Sequence, residues 1–276
     1  MLKKLLFSAV SALILIGCSQ PKTYKYSETI YRTFPTDVTV DNIDDISVEN
    51  AAGDIEIKGW DNTNVEIAIE KKTDMFEDEL LKVKGEITIE GHTLKIKTVY
   101  FKTLGEPKVS VKYVIKAPKN IAVRRAEVFT GNILIEDISV DLIKSEAGFI
   151  TLNRVGYVNS ISGTTNVINI NTAERVKSVS NVNGSVSLKG VKRFGTIKNA
   201  SGNIEAEILD DAICKNIDSL TGNVDLKIKD GLSLNLNLKT STGIIDNEFN
   251  SNIIGSGAAG LCVEVTAGGA ISIRKI

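Results

Sequence analysis

Three carboxylates recur at matching positions late in the chain: Glu205 in "SGNIEAEIL", Asp225 in "TGNVDLKIK" and Asp246 in "TGIIDNEF", each three residues after a glycine. If successive segments stack at the inter-strand spacing of about 4.8 Å, these acids form a column on one outward face. Such a column offers hard oxygen ligands for Ca²⁺, or a carboxylate pair at the separation a retaining glycosidase needs. The same pattern also reads as a solvated face. Glu207, Lys227 and Glu248 lie two residues further along it, Lys227 offsetting part of the repulsion, and aromatic residues that would stack on a sugar ring are scarce here.

Other chemistry is thin. His92, the one histidine, sits in the turn-forming "EGHT" with no nucleophile motif beside it, and the chain has no P-loop, no "HExxH" and no paired "CxxC". The remaining reactive group is a cysteine. "MLKK" followed by the apolar run Leu5 to Ile16 reads as a secretory leader too short to span a bilayer, and "LIGC", Leu15 to Cys18, resembles the lipobox of bacterial lipoproteins. That resemblance implies cleavage after residue 17 and lipidation of Cys18. Two or three acyl tails give stable anchoring where one is marginal.

The acids are positioned by a repeat. Glycines after a small residue fall at Gly131, Gly148, Gly163, Gly184, Gly202, Gly222 and Gly243, spaced 17, 15, 21, 18, 20 and 21 residues apart. Two residues after them come Ile133, Ile150, Thr165, Val186, Ile204, Val224 and Ile245; five before come Ala126, Ile143, Val158, Val179, Ile197, Ile217 and Leu238. Strand, turn glycine, strand at this period predicts an all-β parallel β-solenoid with coils of about 15–21 residues. Three before the glycines from Gly148 onward, Ser145, Ser160, Asn181, Asn199, Ser219 and Thr240 predict an internal polar ladder.

Cys214 falls in a core slot eight before Gly222, and Cys262 is placed about two coils away, beyond disulfide reach. The glycine-rich tail after residue 250 is expected to cap the C-terminal end. Toward the N-terminus, "ISVENAAGDIEIKGW" already carries the pattern around Gly53, a helix is expected over Asp74 to Val83, a hairpin at "EGHT", and an inward-facing strand at Val109, Val111, Tyr113 and Ile115.

The division expected is a leader at 1–17, the lipidated cysteine and tether at 18–35, a β-rich N-terminal part at 36–122 and the repeats with their cap at 123–276. Its 276 residues are 42% hydrophobic and 24% charged, ordinary for a globular chain, and the formal net charge of −1 excludes an electrostatic footprint for nucleic acid.

The order of "VENAAGDIEIKGWDNTNVEI", the acidic "DMFEDELLKVK", "VSVKYVIKAPKN" and repeated "TGNILIED" segments resembles the putative adhesin family of bacterial envelope domains of unknown function, over roughly residues 36 to 276. The resemblance implies a right-handed β-helix-like fold at the cell surface or in the periplasm, and it supplies no catalytic residue. The expectation is therefore a non-enzymatic envelope protein held to the membrane by its lipid. That membrane is the outer one in a diderm cell, as Ser19 after the cysteine favours, and the plasma membrane's outer face in a monoderm. A polysaccharide or another envelope protein would be its partner. The alternatives are a carbohydrate-active enzyme using the stacked acids, and an envelope-stress sensor acting through protein contacts.

Overall fold

The computed structural model describes residues 24–35, 43–101, 108–210, 216–257 and 259–276. Residues 1–17, Cys18 and Cys214 lie outside them. About three quarters of the described residues are strand, and their nineteen strands join one hydrogen-bonded sheet.

Backbone contact between neighbouring repeats explains the glycines. A Cβ added at Gly53 would lie 2.2 Å from the carbonyl oxygen of Val111; at Gly131, 2.1 Å from that of Gly53; at Gly148, 1.9 Å from that of Gly131. The column continues through Gly184 over Asn166, Gly202 over Gly184, Gly222 over Gly202, Gly269 over Gly222 and Gly243 over Gly269. Each corner thus abuts the carbonyl of the corner beneath it, where no side chain fits.

On either side of that corner, inward residues stack in register. On one side Val48 pairs with Ala126, Ala126 with Ile143, Val179 with Ile197, Ile197 with Ile217, and Ile217 with Val263. On the other, Tyr113, Ile55, Ile133 and Ile150 follow one another, as do Ile168, Val186, Ile204, Val224 and Ile271. All of these ladders are parallel, and their inward members form one continuous core. Fully burying each aliphatic side chain contributes about 1.5–3 kcal/mol.

The sheet as a whole is mixed rather than parallel throughout. Asn64–Thr73 runs antiparallel to both Tyr26–Pro35 and Ser110–Pro118, and Val83–Glu90 runs antiparallel to Thr93–Tyr100. The expected hairpin at "EGHT" is present, with Gly91 at φ +62°. The helix expected over 74–83 is a short 3-10 helix of six residues, Glu77–Lys82. Leu80 and Val83 point inward as the pattern predicts, whereas Phe76 is exposed. Six residues wedged between strands leave no room for the longer α-helical stripe.

Chain order and spatial order differ at both ends. Asp45–Ala52 lies between Thr93–Tyr100 and Ala122–Thr130, so the first corner segment in the chain is the second in space. At the other end, Ala259–Gly268 and Ile271–Lys275 insert between the segment at 216–228 and the segment at 234–247. The C-terminal strands are thus internal, and the segment carrying Gly243 is outermost, which reverses the expected cap. The same insertion sets Cys262 opposite Asn216 on an adjacent strand rather than two coils away. Cys262 is a free, half-buried thiol.

The repeat register also changes at one site. In the third repeat Ile168, not Thr165, is the buried residue two after the corner, and Ile161, not Val158, stands five before it. The corner there is Asn166, which the next glycine, Gly184, overlies. Gly163 has an ordinary φ and occupies the ladder slot instead of Ser160. Asn166 turns its side chain inward: Ser145 Oγ donates to its Oδ1 at 2.8 Å and its Nδ2 donates to the Ser145 carbonyl at 2.8 Å. Beyond it, Asn181 Nδ2 donates to the Asn166 carbonyl at 2.9 Å and Asn199 Nδ2 to the Gly184 carbonyl at 2.8 Å. A buried polar side chain therefore binds the corner carbonyl of its neighbour, which the sharp corner leaves without a ladder partner.

At the N-terminal end the same role falls to Asn50, whose Nδ2 donates to Val111 O at 2.7 Å. Thr98 Oγ1 donates to Asn50 Oδ1 at 2.8 Å and lies 2.7 Å from the Tyr113 hydroxyl, which then donates to it. Burial pushes the Tyr113 phenol up to about 12. A phenol titrating near 10 when unfolded and near 12 when folded stabilises fully below pH 10, and this contribution is lost as pH rises toward 12. It is worth roughly 3 kcal/mol. Urea unfolding between pH 9 and 12 should show this alkaline loss in the parent chain. The Tyr113→Phe chain, already weaker at pH 9, should lose about that much less over the same interval; parallel profiles would refute the assignment.

Candidate functional site

Alternation along the second strand of each repeat puts every other residue outward, and parallel register turns those residues into rows. One row reads Asn169, Ser187, Glu205, Asp225, Ser272 and Asp246. Two residues further along run Asn171 and Lys189, then Glu207, Lys227 and Arg274. Ser185 and Asn203 close one side of an open groove of about 700 Å³ lined by members of both rows.

The three predicted acids are on this face, but not as one column. Glu205 and Asp225 are direct register neighbours. Asp225 and Asp246 are both partners of Ser272, because the C-terminal strand inserts between their segments. Cations already occupy two of the three carboxylates: Lys227 Nζ donates to Glu205 Oε1 at 2.7 Å, Lys189 lies 3.7 Å from Glu205 Oε2, and Arg274 donates to Asp246 Oδ2 at 2.8 Å. Among the described residues no three acids, histidines or cysteines converge on a site for a metal ion. The expected Ca²⁺ ladder is therefore interrupted by Ser272, and its Glu205 and Asp246 are paired with lysine and arginine.

The same ion pairs bear on the glycosidase alternative. A general acid needs a raised carboxyl pKa. The hydrogen bond from Lys227, aided by the charge of Lys189, instead holds Glu205 below the usual carboxylate range, outweighing its partial burial. What the groove presents is an alternating set of donors and acceptors at strand spacing, suited to grip hydroxyls and amides along an extended polar chain.

Sequence reasoning passed over a second concavity. Arg175 and Arg193 are register partners, and with Lys177, Ser178, Thr196 and Phe194 they line a cavity of about 330 Å³. Arg193 lies 3.7 Å from Asp210. The signal available was a basic residue nine before two successive corners. His92 is exposed in its turn, with Nδ1 3.8 Å from Asp44 Oδ2. No helix among the described residues is long and apolar enough to cross a membrane.

No family model matches the chain, and no curated protein matches it. Solved structures do. A putative adhesin from Bacteroides fragilis is similar at a TM-score of 0.50 and 13% identity, over 89% of this chain and 97% of that one. A putative adhesin from Parabacteroides merdae is similar at 0.44 and 14%, over 90% and 96%, and a putative lipid binding protein from Parabacteroides distasonis at 0.43 and 14%, over 91% and 96%. At these identities the likeness is one of fold: the chain shares its all-β architecture with the Bacteroides fragilis protein.

Proposed function

We propose that the chain is a non-enzymatic, surface-binding β-solenoid of the bacterial envelope, anchored through lipid on Cys18 after removal of residues 1–17. Its ligand is an extended polar polymer, a polysaccharide first of all, laid across the outward rows. The observation that carries this reading is the groove through Ser187, Glu205, Asp225, Ser272 and Arg274. Its polar groups repeat at strand spacing, and Glu205 within it is already paired with Lys227 and Lys189. The fold is shared with a protein described as a putative adhesin, which agrees with this reading without fixing a ligand.

The test incubates the mature chain with a panel of polysaccharides and envelope fractions, measuring retained protein and released sugar together, with and without Ca²⁺. Retention without released sugar is expected, insensitive to chelator, and at least tenfold weaker for Glu205→Arg, which places a third cation beside Lys189 and Lys227. Sugar release that disappears in Asp225→Asn would replace this reading with an enzymatic one. No retention by any fraction would refute it.

A further inference from the structure

The N-terminal end of the stack is closed by the 3-10 turn Glu77–Lys82, and the turn is firmly held. Leu80 is buried beneath it, and the buried Lys71 donates through Nζ to the carbonyls of Leu80 at 2.9 Å and Val83 at 3.2 Å while pairing with Glu28. Its outer side carries large apolar side chains beside the exposed acids Glu77 and Asp78. Met75, Phe76 and Leu81 are 39%, 69% and 75% exposed, and Phe101, whose amide donates to the Lys82 carbonyl at 2.9 Å, is 49% exposed. Four large apolar side chains around a pinned turn form a patch that water alone does not explain.

The chain enters the fold at the same place. Lys25 N donates to Thr73 O at 3.0 Å, and Met75 N donates to Thr73 Oγ1 at 3.2 Å. The first described residue, Tyr24, is six positions after Cys18, a span of about 20 Å at full extension. A lipid on Cys18 therefore holds this end of the stack, and no other, within reach of the bilayer interface.

We infer that the apolar rim of Met75, Phe76, Leu81 and Phe101 is a membrane-seating surface, inserted into the phospholipid interface beside the Cys18 anchor. It rests on the anchoring reading above and adds an orientation to it. The stack stands end-on, and the polar groove lies toward the far end, roughly 45 Å of stacked strands being available at the inter-strand spacing. Aromatic and aliphatic side chains at headgroup depth supply the second attachment that lets a few lipid tails define a posture as well as a tether.

The test reconstitutes the lipidated mature chain into phosphatidylcholine vesicles containing brominated lipid. In a Trp60→Phe background, Phe76→Trp reports on the rim and Phe149→Trp on an exposed corner further along the stack. Quenching at position 76 at least threefold that at 149 is expected; equal quenching, or none at 76, overturns the inference. The mass of the N-terminal peptide decides acylation separately. A Cys18→Ser chain then tests the rim without the anchor: weak vesicle co-sedimentation is expected, reduced at least fivefold by Phe76→Glu with Leu81→Glu. Absence of that binding, or dimerisation through the rim in its place, also overturns the inference even if Cys18 proves to be acylated.

Discussion

Gly202→Ala is expected to destabilise the chain by roughly 3–5 kcal/mol, a large fraction of the about 5–15 kcal/mol that holds a typical domain folded. Two penalties combine. Gly202 has φ +109°, which an L-residue seldom adopts, and its new Cβ would lie 2.3 Å from the Gly184 carbonyl oxygen. That oxygen belongs to another corner, itself overlain by Gly202 and held by Asn199 Nδ2, so it cannot retreat without moving its own repeat. The matched control is Gly260→Ala. Gly260 also lies in a strand, but nothing stands within 4 Å of an added Cβ and its φ is ordinary. There, reduced freedom in the unfolded chain predicts a change between neutral and about 0.5 kcal/mol stabilising. Urea unfolding gives the difference. Hydrogen exchange should locate the loss in the repeats flanking residue 202, since stacked repeats depend mainly on their neighbours. A Gly202→Ala chain within about 1 kcal/mol of the parent would mean that the corner column is not a close-packed backbone contact.

The corner column was largely legible because its cause is local. Glycine, alternation and an apolar residue five positions back are all consequences of one tight turn, and they recur wherever the turn does. The order of segments at the two ends was not legible. Ile271 pairs with Val224 on one side and Ile245 on the other, and each of the three is a suitable partner for either neighbour. Apolar pattern fixes which face a strand buries, whereas insertion between two earlier strands depends on the path of the intervening loop. That single uncertainty misplaced Asp246 relative to Asp225 and turned an interrupted row into an apparent ladder. It also set Cys262 in the wrong layer. The rim at the N-terminal end was hidden for a different reason: Phe76, Leu80 and Val83 fit an amphipathic stripe, and only the short 3-10 geometry shows that Phe76 faces out while Leu80 faces in.

The misreading at residue 163 leads to the second prediction with a large effect. Most repeats place a polar residue in the ladder and a glycine at the corner three positions later; the third repeat exchanges the two, with Gly163 in the ladder and Asn166 at the corner. The exchange works because the inward Asn166 side chain fills the space that a side chain at position 163 would need: a Cβ there would lie 2.6 Å from Asn181 Oδ1 and 3.0 Å from Asn166 Nδ2. Gly163→Asn alone crowds that slot and is expected to cost about 2–3 kcal/mol. Asn166→Gly alone removes both hydrogen bonds to Ser145 and leaves a gap, costing a similar amount of about 2–3 kcal/mol. Together they restore the common pattern. The asparagine introduced at position 163 can reach the Gly148 carbonyl as Asn199 reaches that of Gly184, and it offers a donor to Asn181 Oδ1, which is buried without a partner. The double variant should therefore lie within about 1–2 kcal/mol of the parent, a favourable coupling of about 3 kcal/mol in a double-mutant cycle of urea unfolding free energies. Additive losses would show that Asn166 sits at its corner for reasons other than filling the slot Gly163 leaves open.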